Sequence, residues 1–397
     1  MRKKRALSCR RIAIVLIGTM LGMCLAAAGL VTVTNSFLPS RSTVVDRLGI
    51  LDKARLAEAA YLRRALGDQV WPGWGQADIP IILSNEGYAF LIGYADPPPG
   101  WLKVPARIQQ GAAWEAVPGD TFDGRPYYRQ PLTDPDVTPE NFTVLVGDRW
   151  AATMGTKQYM EISFYQGFRQ TLPPVVRELF PYRQLWDNLM GETETYIQGL
   201  EHEAFHAFQG TVAPDRLAAA ERANRAEARY PWDDAASEQA WQDELKLLQQ
   251  AALAETDGEA RDLAGQFLAR RDERRKAAGL DAELIDYERQ REWLEGLAKY
   301  AELAIGRAAG AAADYAPVPD LVKDPEFRSY RTRERFWSRQ IGEVPRTATR
   351  VDESRFYYGG MAQAVVLDRL LPGWKERAFS GETMIEDLLR EATRAGP

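Results

Sequence analysis

A chain of 397 residues with 45% hydrophobic and 27% charged residues can bury a sizeable core, in one large domain or two modest ones, and is too apolar to be disordered. The formal net charge of −6 is unevenly spread: Arg2, Lys3, Lys4, Arg5, Arg10 and Arg11 crowd the first eleven residues, leaving −12 on the remainder, and so acidic a body excludes a nucleic-acid partner, which requires a basic stripe. Both cysteines, Cys9 and Cys24, lie near the amino terminus, so the body has no disulfide or thiolate chemistry, and any metal it holds is held by nitrogen and oxygen.

Residues 1–11 read as a basic cytoplasmic tail. Residues 12–33 carry no charge over 22 positions, enough to cross a bilayer as a helix. The positive flank predicts a single-pass membrane protein with its amino terminus in the cytoplasm and its body exported, to a periplasm or the cell exterior. Ala26-Ala27-Ala28 resembles a signal-peptide cleavage site, but the apolar run continues past it, which favours an uncleaved signal anchor.

Residues 42–190 read as an amino-terminal helix followed by a small sheet. Val45, Leu48, Leu51, Leu56, Ala60 and Leu62 give residues 42–66 an amphipathic helical pattern that ends near Gly67. Residues 79–83 and 88–94, separated by Ser84-Asn85-Glu86-Gly87, read as a strand pair. Further strands are expected at 143–146 and 159–165, with loops at Gly119-Asp120, Asp123-Gly124 and Asp134-Pro135-Asp136, making a small mixed or antiparallel sheet.

Residues 191–310 carry the chemistry. His202-Glu203-Ala204-Phe205-His206 reads H-E-x-x-H, in which two histidines one helical turn apart present ring nitrogens to one zinc ion while the glutamate takes a proton from water. These are the only 2 histidines in the chain. Ile197, Leu200, Ala204, Phe205 and Phe208 form an apolar stripe, and the histidines project to roughly the other side, where a ligand fits better than a core histidine. The helix is expected to stop at Gly210. Residues 214–290, rich in Ala, Glu, Arg, Leu and Gln, read as long, well-solvated helices, and the mixed-charge run 268–276 as a wet helical face.

A catalytic zinc takes three protein ligands, and with no further histidine and no cysteine in the body the third must be a carboxylate. Glu292, Glu295 and Glu302 fall on nearly one face of a helix, so phase does not choose among them. The stretch Trp293-Leu294-Glu295-Gly296-Leu297-Ala298, with Tyr300 and Glu302 beyond it, resembles the W-L-x-E-G-F-A-x-Y-x-E segment of the aminopeptidase-type gluzincins, with one residue fewer before the glutamate. That resemblance implies Glu295 as the third zinc ligand and Glu302 as a residue bonded to a ligand histidine. It covers only short patches. Here 88 residues separate His206 from Glu295, a long helical insertion, and the family's amine-gripping G-x-M-E-N run is missing.

Residues 311–397 read as a carboxyl-terminal helical subdomain. Tyr357-Tyr358-Gly359-Gly360-Met361 resembles the Y-x-x-G-A stretch of the same family, which implies that the Tyr357 hydroxyl stabilises the oxyanion of the tetrahedral intermediate. The expectation is therefore an α+β, mainly α, zincin-like metallopeptidase fold with a small sheet before the active-site helix. Zn²⁺ on His202, His206 and Glu295, with Glu203 as general base, would cleave a peptide or protein substrate; an edge strand beside the metal could hold that substrate extended. The alternatives are another zinc hydrolase and a non-catalytic gluzincin-like envelope protein. A structural zinc site is disfavoured, because such sites are usually closed by cysteines. Oligomeric state is not legible.

Overall fold

A computed structural model describes residues 19–20, 22–23, 26–133, 143–232 and 234–394. The chain is mainly helical, with one mixed eight-stranded sheet. Residues 12–18, 21, 24 and 25 of the expected span 12–33, both cysteines and the Asp134–Asp136 loop lie outside the described residues; among those described, no helix is long and apolar enough to cross a membrane.

Two compact units divide the chain. The smaller comprises Met1–Thr43 and Thr156–Glu192. Residues 26–36 are helical, and the helices Lys157–Thr171, Pro174–Leu179 and Tyr182–Leu189 gather around a core of Tyr165, Tyr182 and Trp186. The strand expected at 159–165 is thus helix. Its β-prone residues are outweighed by period: Met160, Phe164 and Phe168 recur every fourth position and pack on that core, and Thr156 caps the first turn by accepting from the Tyr159 N–H.

The larger unit comprises Val44–Gly155 and Thr193–Pro397. Its first helix, α1 (Ile50–Val70), starts later than expected, where Asp52 accepts from the Gly49 N–H at 3.1 Å, and runs past Gly67. Gly67 marks a close approach instead of a stop: a Cβ there would sit 2.9 Å from the Gly75 backbone. The sheet follows, with strands β1 (Ile81–Ser84), β2 (Tyr88–Ile92), β3 (Trp101–Lys103), β4 (Ile108–Gln110), β5 (Glu115–Ala116), β6 (Tyr128–Pro131), β7 (Val144–Val146) and β8 (Arg149–Gly155). Their order is β4-β3-β7-β8-β1-β2-β6-β5. The expected pair β1/β2 is antiparallel, turned by Asn85, whose Oδ1 accepts from the Gly87 and Tyr88 N–H groups. β1 also pairs parallel with β8, which makes the sheet mixed. Its inner face buries Ile82, Leu91, Val144, Val146 and Ala151. The short strands β3 to β6 escaped the sequence reading because two to four residues carry no legible alternation.

The rest of this unit is helical: α2 (Thr193–Val212), α3 (Pro214–Ala223), α4 (Ala235–Leu253), α5 (Asp257–Ala277), α6 (Ala282–Arg291), α7 (Leu297–Ala311), α8 (Arg333–Glu343), α9 (Ser354–Leu370), α10 (Trp374–Phe379) and α11 (Ile385–Arg394). Helix α2 lies against β8: the Tyr196 hydroxyl donates to the Gly155 carbonyl at 3.0 Å, and Gly199 and Gly210 leave room for Met154 and Trp150.

The run 268–276 is not a wet face. Arg271, Arg274 and Arg275, spaced three and four apart on α5, turn inward and are at most 6% exposed. They meet Glu244, Glu288, Glu292 and Glu386, carboxylates from four other elements that are each 3% exposed or less. Composition gave the charges but not their pairing, which is made across helices.

Candidate metal centre

Helix α2 brings His202 and His206 to one side, one turn apart, as the spacing requires. That side is not solvent. Helix α2 is buried nearly all round, and each histidine is only 7% exposed. The third group arrives from the segment between α6 and α7, where Glu292–Gly296 forms a π-turn. The extra residue per turn separates what a regular helix would align. Glu292 faces Arg271, with carboxylate–guanidinium distances of 2.6 and 2.8 Å, whereas Glu295 faces the histidines. Glu292 is thereby removed from the candidate ligands.

Glycines make this packing possible. A Cβ on Gly296 would lie 2.4 Å from the Gly360 Cα, and one on Gly360 would lie 2.3 Å from the Glu292 carbonyl oxygen. Helix α9 therefore crosses the π-turn backbone to backbone, and carries Tyr357 to the site. The Tyr357 ring lies parallel to that of His202, 5.7 Å between centroids and 8° between planes.

His202 Nε2, His206 Nε2 and Glu295 Oε2 form a triangle with sides of 3.1, 3.2 and 3.3 Å. Donors at tetrahedral positions around one zinc stand about 3.3 Å apart. These are the three buried groups whose donor atoms could hold a metal ion among the described residues. The electrostatics agree with the geometry. Burial disfavours charge on His202, but hydrogen bonds to Glu295 and Glu302 prevail and push its pKa up to about 10. Burial likewise works against the Glu295 charge, yet His206 and Arg291 hold its carboxyl well below the usual range. Two imidazoles between two carboxylates make a cradle for positive charge, and a divalent cation fits its donor set.

The surrounding partners orient these donors. His202 Nδ1 lies 3.1 Å from Glu302 Oε2, and Lys299 Nζ donates to the other oxygen at 2.7 Å. His206 Nδ1 meets Gln209 Oε1 at 2.8 Å, and the Gln209 amide donates to the Trp293 carbonyl at 2.9 Å. Each contact engages Nδ1 and leaves Nε2 facing the triangle. Arg291 Nη2 donates to Glu295 Oε1 at 2.7 Å and to Glu353 at 2.6 Å, leaving Oε2 to face the two histidines. Sequence reasoning found Glu302 and missed Gln209, Arg291 and Lys299. Their signals were local: Gln209 stands three after His206, Arg291 four before Glu295 and Lys299 three before Glu302.

Glu203 has a different setting. It is half-buried, and its carboxylate has no hydrogen-bond partner among the described residues. Burial raises its pKa, the histidines lower it, and the net direction is upward. Burial and the Glu295 charge push the Tyr357 hydroxyl well above its ordinary value, so it stays a proton donor at neutral pH. The strand against which α2 lies is β8, with β7 on one side and β1 on the other. Its two neighbours pair with different halves of it, β7 with Arg149–Ala151 and β1 with Ala152–Gly155.

Comparison with family models, curated proteins and solved structures returns no match for this chain.

Replacing Glu302 by Gln, or Gln209 by Leu, should weaken metal binding by roughly 10–100-fold without unfolding the chain, because each loosens a histidine and removes no ligand. Competitive titration with a chromophoric chelator measures this, and unchanged affinity in both variants would rule out the orienting role.

Proposed function

We propose that this protein is a zinc-dependent hydrolase, a peptidase of gluzincin type anchored to a membrane by its amino-terminal segment with its body exported. One observation carries the reading: three buried donors, His202, His206 and Glu295, converge with near-tetrahedral spacing beside an unpaired glutamate, Glu203, on the same helix. The peptide substrate rests on the resemblance to the aminopeptidase-type gluzincins, and the export on the basic flank and the apolar run 12–33.

Zinc bound by His202, His206 and Glu295 would supply Lewis acidity, polarising the substrate carbonyl and making water acidic at neutral pH. Glu203 accepts a proton from water as the oxygen attacks the carbonyl carbon. The same carboxyl then gives that proton to the amine nitrogen as the C–N bond breaks. Tyr357 donates a hydrogen bond to the oxyanion. Arg291, held by Glu295 and Glu353, keeps the third ligand from rotating.

The test is metal content in the purified full chain. Emission spectroscopy should find about one zinc per chain, and Glu295→Ala should lower the affinity sharply while the protein remains folded. A folded parent that takes up no zinc when zinc is supplied would overturn the reading and favour a non-catalytic binding protein.

A further inference from the structure

A second cavity shares no residue with the metal centre. It encloses about 920 Å³ between α1 and the ends of β1 and β2, within the size range of small-molecule sites. Leu56, Ile81 and Ile92 contribute an apolar wall.

Its charges are the telling feature. Arg149 is engaged: it pairs with Asp78 at 2.8 Å and stacks on Tyr94. Arg63 is only 5% exposed, yet its guanidinium is half used. Nη1 alone reaches both oxygens of Glu201, each at 3.0 Å. Nε and Nη2 donate to no protein group among the described residues and are not sealed from solvent, on a side chain that lines the cavity. Those two nitrogens form the side-on fork that matches two oxygens of a carboxylate or phosphate. An anion in the cavity would replace water on that fork with a two-point, charge-assisted contact. With Arg63 set against Glu201 and Arg149 against Asp78, the exposed Arg64 and Arg125 remain against Asp123, a surplus of positive charge around the cavity.

We propose that this cavity is a binding site for a small organic anion with an apolar body, its carboxylate or phosphate gripped by the free edge of Arg63 and steered by Arg64 and Arg125. The site is independent of the zinc reading, and its test is arranged to be so.

The experiment is calorimetric titration of the full chain in nonionic detergent, after exhaustive treatment with a chelator. The probes are 4-phenylbutyrate, 4-phenylbutyl phosphate and the neutral 4-phenylbutanamide. Either acid should bind saturably and at least about tenfold more tightly than the amide. The tighter of the two acids identifies whether the natural ligand offers a carboxylate or a phosphate. Arg63→Lys keeps a charge opposite Glu201 but loses the fork, and should weaken binding of the acid by about tenfold. Should that variant misfold, Arg64→Ala with Arg125→Ala, both at exposed positions, should weaken binding in a chain that stays folded. Equal binding of acid and amide, no binding of either acid, or affinity unchanged by these substitutions would overturn the proposal. So would binding that occurs only with zinc restored, since it would place the anion at the metal centre.

Discussion

Glu203→Gln should abolish hydrolysis while leaving zinc in place. The substitution keeps the shape of the side chain and removes its capacity to take a proton. The carboxylates that touch the histidines and Arg291 are engaged: Glu295 and Glu302 with the histidines, and Glu353 with Arg291 and Tyr287. General-base catalysis is worth roughly 10²–10⁴-fold, so kcat should fall by that factor with KM nearly unchanged. Single-turnover cleavage of an internally quenched peptide library by the full chain, with metal content measured on the same samples, separates the outcomes. Loss of activity with zinc retained assigns the proton transfer to Glu203. Activity within a few-fold of the parent would eliminate it as the base, and with it the gluzincin mechanism.

How far the site was legible depended on the range of each signal. His202, Glu203 and His206 are one helical turn, and a turn is a sequence-local object. Glu295, the candidate third ligand, lies 93 residues from His202, and periodicity left three carboxylates open. The π-turn separates two of them by turning Glu292 toward Arg271 and Glu295 toward His202 and His206, a change of phase that regular helical geometry does not anticipate. The helical phase of the histidines was read correctly, but their burial was not, since what covers that face comes from α7 and α9. For the fold, β1, β2 and β7 were readable as runs of β-branched and aromatic residues. The helix Lys157–Thr171 was misread on composition where its period-four aromatics should have prevailed. The gravest misreading concerns Arg271, Arg274 and Arg275, because mixed charge on a helix says nothing about whether its partners are solvent or other helices.

Those arginines support the second large expectation. Arg271→Met should cost about 3–5 kcal/mol of stability, read from urea unfolding at pH 7, because it strands buried carboxylates without a countercharge. Arg271 contacts Glu244, Glu292 and Glu386 at 2.7, 2.6 and 3.2 Å, with both Arg271 and Glu292 fully buried. Adding Glu292→Leu should recover part of the loss, since an apolar pair of similar volume carries no desolvation cost. The pH dependence has a defined sign. Burial opposes charge on Glu288 and Glu386, but Arg274 and Arg275 on the former and Arg271 and Arg275 on the latter hold both carboxyls well below the ordinary value of 4.5. A depressed folded pKa gives stability that is present above the unfolded value and lost as pH falls below it. Glu292 runs the other way, since burial outweighs Arg271 and raises it, so its share is present at low pH and lost on the alkaline side. With two carboxyls against one, the cluster should loosen in acid. The consequence reaches the metal. Glu292 opens the π-turn that aims Glu295, so Arg271→Met should also weaken zinc binding although Arg271 touches neither ligand nor metal. Zinc affinity unchanged in a destabilised Arg271→Met would confine the cluster to stability alone; affinity lost in step, and regained with Glu292→Leu, would make the helical insertion part of the metal centre's frame.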